Sequence, residues 1–244
     1  MTEAAQTAAT TDSGTIDSSM TDDAARLDRL LRARYSCRAF RPDPVPEPVI
    51  AQILEMAQRT ASWCNSQPWH TIVTSGDATE RFRQAMYEHA TNGGEGTSDL
   101  PQPREYRGVY LDRRRESGFQ LYNTLGIPRG DRAGYQRQAM ENFRLFGAPH
   151  VAIITTEEAL DVYGAVDCGG FVSTFLLAAQ AMGVATVAQA ALARYAPFVR
   201  RHFDIPDDRL LVCGISFGYG DHDHLVNSYR TSRAPLSETV RWMR

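Results

Sequence analysis

Apolar and polar positions recur along this chain with two periods, and the switches between them mark out its elements. Leu27, Leu30, Leu31 and Arg34 fall at i, i+3, i+4 and i+7, which predicts a helix capped by Asp22 or Asp23. It runs into RARYSCRAF (residues 32–40), and the proline-rich RPDPVPEPV leads to a second helix with Val49, Ile50, Ile53, Leu54 and Ala57 on one face. SWCNSQPWH (62–70) closes that helix. HTIVTSG then reads as a short strand with a turn, and Asp77 caps a helix to about His89. The pattern changes over residues 91–147, where a loop-like TNGGEGTSDLPQPREY precedes a basic, aromatic stretch with helical segments. Such an excursion from a scaffold is the kind of segment that lids a site. Regular elements resume with HVAIITTE as a strand, a long Gly/Ala-rich helix over 163–183, TVAQAAL, a short helix around 196–203 and the strong strand RLLVCGISFGYG. Helices and strands intermix without internal repeats, so the class is α/β or α+β.

A length of 244 residues suits one large domain or two small ones. The net charge of −3 argues against a general nucleic-acid binder, which would carry a basic surplus. All 26 basic residues are Arg, which excludes a lysine nucleophile, a Schiff base and a P-loop lysine. Cys37, Cys64, Cys168 and Cys213 form no C-x-x-C pair and read as reduced thiols of a cytoplasmic protein. Residues 1–22 are small, polar and acidic, lack the features of a signal peptide, and read as a disordered tail. The apolar stretch 163–188 is interrupted by Asp167 and Gln180, so a buried central helix is expected there and no membrane span.

A built-in nicotinamide fold would need G-x-G-x-x-G opening a helix after a strand, but GISFGYG (214–220) runs into DHDH. There is no P-loop, and GISFG (214–218), although it spells G-x-S-x-G, runs into DHDH and opens no helix, so it is not a nucleophile elbow. His222 and His224, at i and i+2 without a Cys or H-E-x-x-H partner, read as a solvated turn, and no metal site is expected. The corner 62–70 admits two readings. Cys64 and His70 are a nucleophile–base pair, or Asn65 and Gln67 rim a flat ligand with polar edges. In RARYSCRAFR, Arg34, Ser36 and Arg38 alternate; if extended, they share one side and suit a phosphate or carboxylate, against the alternative of a solvated basic strand. Arg230 and Arg233 form a second pair near the other end of the chain. Three charge-assisted bonds at roughly 1.5–3 kcal/mol each give about half of the roughly 8 kcal/mol that micromolar binding requires. Burial of a ring system must supply the remainder.

RARYSCRAF, TASWCNSQPWH, AVDCGGFVSTFLLAAQAMGVATV, GISFGYG and RTSRAPLSETV follow one another in that order. Their order and spacing over residues 27–241, the excursion excepted, resemble the nitroreductase family of FMN enzymes. YRGVYLDRRRESGFQLY and NFRLFGAP are similar to the branch that reduces nitroaromatic acids such as nitrobenzoates. The resemblance implies an α+β fold (α/β in three layers) with a central, mostly antiparallel sheet flanked by helices. It implies a single FMN-binding domain over 23–244 and an interleaved homodimer with FMN at the interface. Arg34, Ser36 and Arg233 would hold the phosphate, with Tyr35, Arg38 and Arg230 beside them. Ser62, Asn65 and Gln67 would meet the isoalloxazine edge, usually from the partner subunit. Ala188, Gln189, Ala190 and Ala191 would lie against the ring near N5, largely through backbone. Trp63 and Trp69 then pack the corner and Cys64 is a bystander.

Two positions depart from the family pattern: Ala61 stands where a Pro is usual, and Thr231 where a Lys is often found. The implied chemistry is hydride transfer from NADPH or NADH to flavin N5 and on to a small nitroaromatic, giving a hydroxylamine, with no catalytic side chain. Arg113, Arg114 and Arg115 are a candidate clamp for a substrate carboxylate, with a solvated helix as the alternative. Tyr106, Tyr110 and Tyr122 are candidate pocket aromatics. The competing readings are a reductive dehalogenase of halophenols, disfavoured because 188–191 contains no Thr, and a non-catalytic FMN-binding protein.

Overall fold

The computed structural model describes residues 21–244, so the expected tail of residues 1–22 lies outside it except for its last two positions. Those two begin the first helix. Thr21, not Asp22 or Asp23, is the N-cap of α1 (Asp22–Ala33), its Oγ1 accepting from Ala24 N at 3.3 Å. The two aspartates occupy the first turn instead, where carboxylates complement the positive end of the helix dipole. The chain continues through α2 (Glu47–Ala57), β1 (His70–Thr74), α3 (Asp77–Thr91), α4 (Val109–Thr124) and α5 (Arg132–Met140). It closes with β2 (His150–Glu157), α6 (Asp161–Ala181), β3 (Ala185–Gln189), α7 (Ala190–Ala193), α8 (Ala196–Phe203), β4 (Arg209–Gly218) and α9 (Leu236–Thr239). Asp77, expected as a cap, is the first residue of α3, with Gly76 before it as N-cap.

The four strands form one sheet in the order β1-β2-β4-β3, every pair antiparallel. β2 and β4 lie in the middle with helices over both faces, which is why their sequences read as continuous apolar runs. Side chains alternate across the pleat. Val151 and Ile153 join Phe82 and Met86 of α3 and Val199 of α8 on one face. Ala152, Ile154, Ile215 and Phe217 join Ile50 and Ile53 of α2 and Phe171 and Phe175 of α6 on the other. The expected α+β class, with an antiparallel sheet between helical layers, is what the chain adopts.

α6 differs from the expectation of a buried helix. One face is in the core, through Gly164, Cys168, Phe171, Phe175, Ala178 and Ala179. Gly164 is required for that approach, since a Cβ there would stand 2.5 Å from Thr156 Oγ1 on β2. The opposite face is open: Val162, Tyr163 and Val166 are 62%, 56% and 62% exposed. The helical segment Glu158–Ala181 is long and apolar enough to cross a membrane by length and composition, and 39% of its most apolar stretch is buried in the domain.

The excursion 91–147 is stitched to the scaffold at both ends. Asp99 Oδ2 accepts from Arg200 Nη1 at 2.5 Å and from Leu211 N at 2.8 Å, and Phe143, Leu145 and Phe146 are buried. The stretch that stands off centres on α4, which has no buried residue.

His150 opens β2 in the core. Its Nε2 accepts from Val45 N at 2.9 Å, which leaves the ring proton on Nδ1, 3.1 Å from Thr74 O and 2.9 Å from Ser75 Oγ. Burial pushes its pKa below the ordinary value, partly opposed by the Thr74 carbonyl. The unfolded chain therefore takes up this proton first: the contribution to stability is complete above about pH 6.5 and is lost as pH falls through the folded pKa. Urea denaturation should show stability falling between neutral pH and pH 5, and His150→Gln should flatten that slope. The variant should also lose about 1–3 kcal/mol at neutral pH through the Val45 amide left unpaired. An unaltered slope would refute the assignment.

Candidate functional site

α1 stops at Ala33 because Arg34 turns extended (φ −67°, ψ 129°). The chain then runs along the free edge of β3. Ser36 bridges Thr186 in parallel, Cys37 N donates to Thr186 O at 2.9 Å, and Phe40 bridges Gly220. Cys37 is fully buried with its thiol on Ala39 O. With that side chain turned inward, Ser36 and Arg38 share the other side of the strand, as the alternation predicts.

Arg34, Tyr35, Ser36, Arg38, Arg230 and Arg233 line one cavity of about 840 Å³, together with Asp28 and Ser117. The two arginine pairs, Arg34 with Arg38 and Arg230 with Arg233, come from opposite ends of the chain and line the same cavity. Arg38 donates to Ser36 O and Tyr229 Oη, at 3.2 and 3.1 Å. Arg230 lies 3.8 Å over the Tyr35 ring and donates to the Asn227 and Tyr229 carbonyls, each at 2.8 Å. Arg233 donates to Thr231 Oγ1 and Ser232 O, at 2.9 and 2.8 Å. Arg34 has no side-chain hydrogen bond or ion pair among the described residues, and its pKa is lowered, first by burial and then by the charge of Arg233. Asp28 is taken up by Arg32 at 2.7 Å. Tyr35 Oη lies 3.4 Å from His222 Nδ1, and burial above all pushes its pKa up to about 12, so it remains a protonated hydroxyl. The cavity is short of negative charge, and a phosphate fits that shortage. His222 and His224 serve locally, the latter accepting from Val226 N at 3.1 Å.

At the other edge of the sheet, the corner before β1 holds three non-glycine residues in left-handed backbone: Cys64 (φ 51°), Asn65 (57°) and Gln67 (49°). Asn tolerates this region; the others cost roughly 1–2 kcal/mol each. Firm anchors hold the shape. Ser62 Oγ accepts from Gln67 N at 3.0 Å, and Asp167 of α6 accepts from Trp63 N at 3.0 Å. Trp69 is buried, stacked on Phe171 (5.1 Å) and donating to Gln58 Oε1 at 2.8 Å. Arg209 reaches Pro68 O at 3.0 Å. Trp69 packs the corner as expected, whereas Trp63 is 57% exposed and meets Tyr163 edge-on at 4.3 Å. Asn65 and Gln67 are left open to solvent. Cys64 and His70 are both exposed and make no hydrogen bond to each other, so the nucleophile–base reading has no geometric support.

Between these edges, Ala188 and Ala190 are exposed while Gln189 is buried. Gln189 Nε2 donates to Asn142 O at 2.8 Å and its Oε1 accepts from Ser216 Oγ at 2.5 Å. Its side chain serves the scaffold, and small methyls with backbone face outward. Gly214 admits α7 here, since a Cβ on it would stand 2.4 Å from Leu192 Cδ1. Nothing in the sequence signalled the roles of Gln189, Asn142 and Arg209, whose partners are remote in the chain.

The three successive arginines of α4 fan around the helix, about 100° apart, and do not converge. Arg113 pairs with Glu238 at 2.8 Å, Arg114 lies 5.2 Å over the Tyr106 ring, and Arg115 has no partner among the described residues. Tyr110 is exposed, and Tyr122 stacks on Tyr135 at 4.2 Å.

An extended edge segment thus gathers arginines beside an antiparallel sheet, with a strained polar corner at the opposite edge. The Nitroreductase family model matches residues 31–219, and the chain belongs to that family. It is 40% identical over 226 residues to nitroreductase NfnB of Mycolicibacterium smegmatis, covering 91% of this chain and 95% of that one. It is 31% identical over 221 residues to the 4-nitrobenzoate reductase of a Nocardioides species, covering 89% and 90%. The crystal structure of the FMN-dependent nitroreductase NfnB from Mycobacterium smegmatis in complex with NADPH superposes with a TM-score of 0.87 at 39% identity, over 91% of this chain and all (100%) of that one.

Inorganic phosphate should raise the melting temperature of the ligand-free protein by about 2–4 °C per kcal/mol of binding. Arg34→Ala and Arg233→Ala should lose most of that gain, as followed by differential scanning fluorimetry. Cys64→Ser should leave flavin content and turnover unchanged in steady-state assays; a collapse of activity would restore the nucleophile reading.

Proposed function

We propose that this protein is an FMN-dependent NAD(P)H oxidoreductase that reduces nitroaromatic compounds, nitrobenzoate-like acids among them, as a homodimer with a flavin site at each interface. The observation that carries the reading is Arg34, half-buried and unpartnered, sharing an 840 Å³ cavity with Arg233. A bound FMN would supply two-electron redox chemistry between NADPH or NADH and the nitro group, two such reductions with four protons and loss of water giving the hydroxylamine. The side chains bind and orient. Arg34, Ser36 and Arg233 hold the phosphate, with Arg38, Arg230 and Tyr35 around it. Ala188, Ala190 and the backbone of 188–191 give the ring a floor without bulk or charge.

Ser62, Asn65 and Gln67 rim the ring edge from a second copy. Two observations support this. In the strand order β1-β2-β4-β3 the corner precedes one edge strand and the arginine cavity borders the other, three steps of about 4.8 Å apart, so the two groups lie at opposite edges of one sheet. The corner also adjoins the open face of α6 through the Trp63–Tyr163 contact, and an apolar helix face of this kind fits burial against another copy. Tyr106, Tyr110 and Arg114, exposed on and beside α4, are the substrate-facing candidates.

Anaerobic titration tests the proposal. Protein reconstituted with FMN should lose its visible flavin band on addition of NADPH or NADH and regain it stoichiometrically with 4-nitrobenzoate. Bleaching without recovery, followed by recovery with a halophenol, would favour dehalogenation. A band that never bleaches would favour a flavin carrier, and no band at all would sink the flavin reading.

A further inference from the structure

Arg113, Glu116, Ser117 and Gln120 stand at i, i+3, i+4 and i+7 on α4 and so share one face. That face lines a cavity of about 560 Å³, whose facing wall is the C-terminal strap from Thr231 to Glu238. Ser117, Thr231 and Arg233 also line the arginine cavity, so the two spaces adjoin at Arg233. No residue of the strap is buried: from 231 to 244 Ala234 is half-buried and the rest are exposed, Val240 at 38%. Among the described residues the Arg233 guanidinium bonds to oxygens of Thr231 and Ser232, so its aim follows wherever the strap goes. Two contacts tie the strap down, one on each side of Arg233. Ser232 Oγ donates to Glu116 Oε1 at 2.8 Å, and Arg113 Nη2 donates to Glu238 Oε2 at 2.8 Å. Working against them is the like charge of Arg34, which lines the same cavity; burial first and then Arg233 lower its pKa.

We propose that Arg113 and Glu116 are positioning residues for the cofactor phosphate: from α4 they brace the strap and hold Arg233 at the anion cavity. The inference rests on the flavin reading above and deepens it. It joins the stand-off helix to the phosphate clamp as one unit, so α4 serves cofactor retention as well as covering the site. Arg113, a candidate substrate clamp by sequence, acquires a different task.

Binding of FMN and of riboflavin to the apoprotein, each followed by quenching of flavin fluorescence, provides the test. Riboflavin has no phosphate and does not engage Arg233. Arg113→Ala and Glu116→Ala should each weaken FMN binding about two- to fivefold, and the double variant about tenfold, while riboflavin affinity stays unchanged. Arg113→Glu alone should weaken FMN, and adding Glu238→Arg should restore it; this exchange keeps the helix and both charges, so it stays informative if alanine perturbs folding. Unchanged FMN affinity, an equal loss for both ligands, or no restoration by the exchange would each overturn the bracing role. A wild-type protein that binds neither ligand would overturn the flavin reading itself, a result distinct from these.

Discussion

Arg34 and Arg233 reach one half-buried cavity whose lining carboxylate, Asp28, is already held by Arg32, and the arrangement around them follows from that like-charge approach. A guanidinium stays charged in a protein, so neither group escapes by losing its proton. The cations are kept in place by covalent and hydrogen-bonded constraints from elsewhere. Arg34 is the first residue past α1, Ser36 and Cys37 are pinned to the edge of β3, and Arg38 and Arg230 are fixed through Tyr229 and Asn227. The result is a cationic cavity whose arginines are brought together by the fold itself; for the anion proposed to bind there, such prior placement lowers the ordering cost.

The corner at 62–67 follows a different physical logic. Left-handed backbone at Cys64, Asn65 and Gln67 is unfavourable locally and persists because the flanks are over-determined by Trp69 in the core, Asp167 on α6 and Arg209 on β4. Strain of this kind concentrates at functional sites. Here it turns two amide side chains outward, beside the one face of α6 that the domain itself leaves uncovered. Under the proposed function, a site divided between the two edges of a sheet would give two copies a physical reason to associate.

Between the two, the excursion is only partly separate from the scaffold. Asp99 ties its first part to Arg200 and Leu211, and Phe143, Leu145 and Phe146 sink its last part into the core. What remains is α4, held by polar and ring contacts at its surface. Segments with few buried apolar contacts open most readily, and α4 is the part of the excursion that fits this description.

Hydrophobic period and local chemistry alone determined the elements: HVAIITTE is β2, the helix at 196–203 is α8, and the alternation of Arg34, Ser36 and Arg38 does set them on one side. These features depend on neighbours in sequence, and neighbours in sequence are what a pattern contains. The motifs in order likewise carried the family and the antiparallel α+β class. The tertiary structure decided the rest. α6 kept an open face because the sheet covers only one side of a helix. Gln189 turned inward to Asn142 and Ser216, and Arg113 was drawn to Glu238. Each of these last pairings joins residues far apart in the chain, and what selects them, burial of Gln189 beside its partners and charge attraction between the exposed Arg113 and Glu238, exists only after the fold has brought them together.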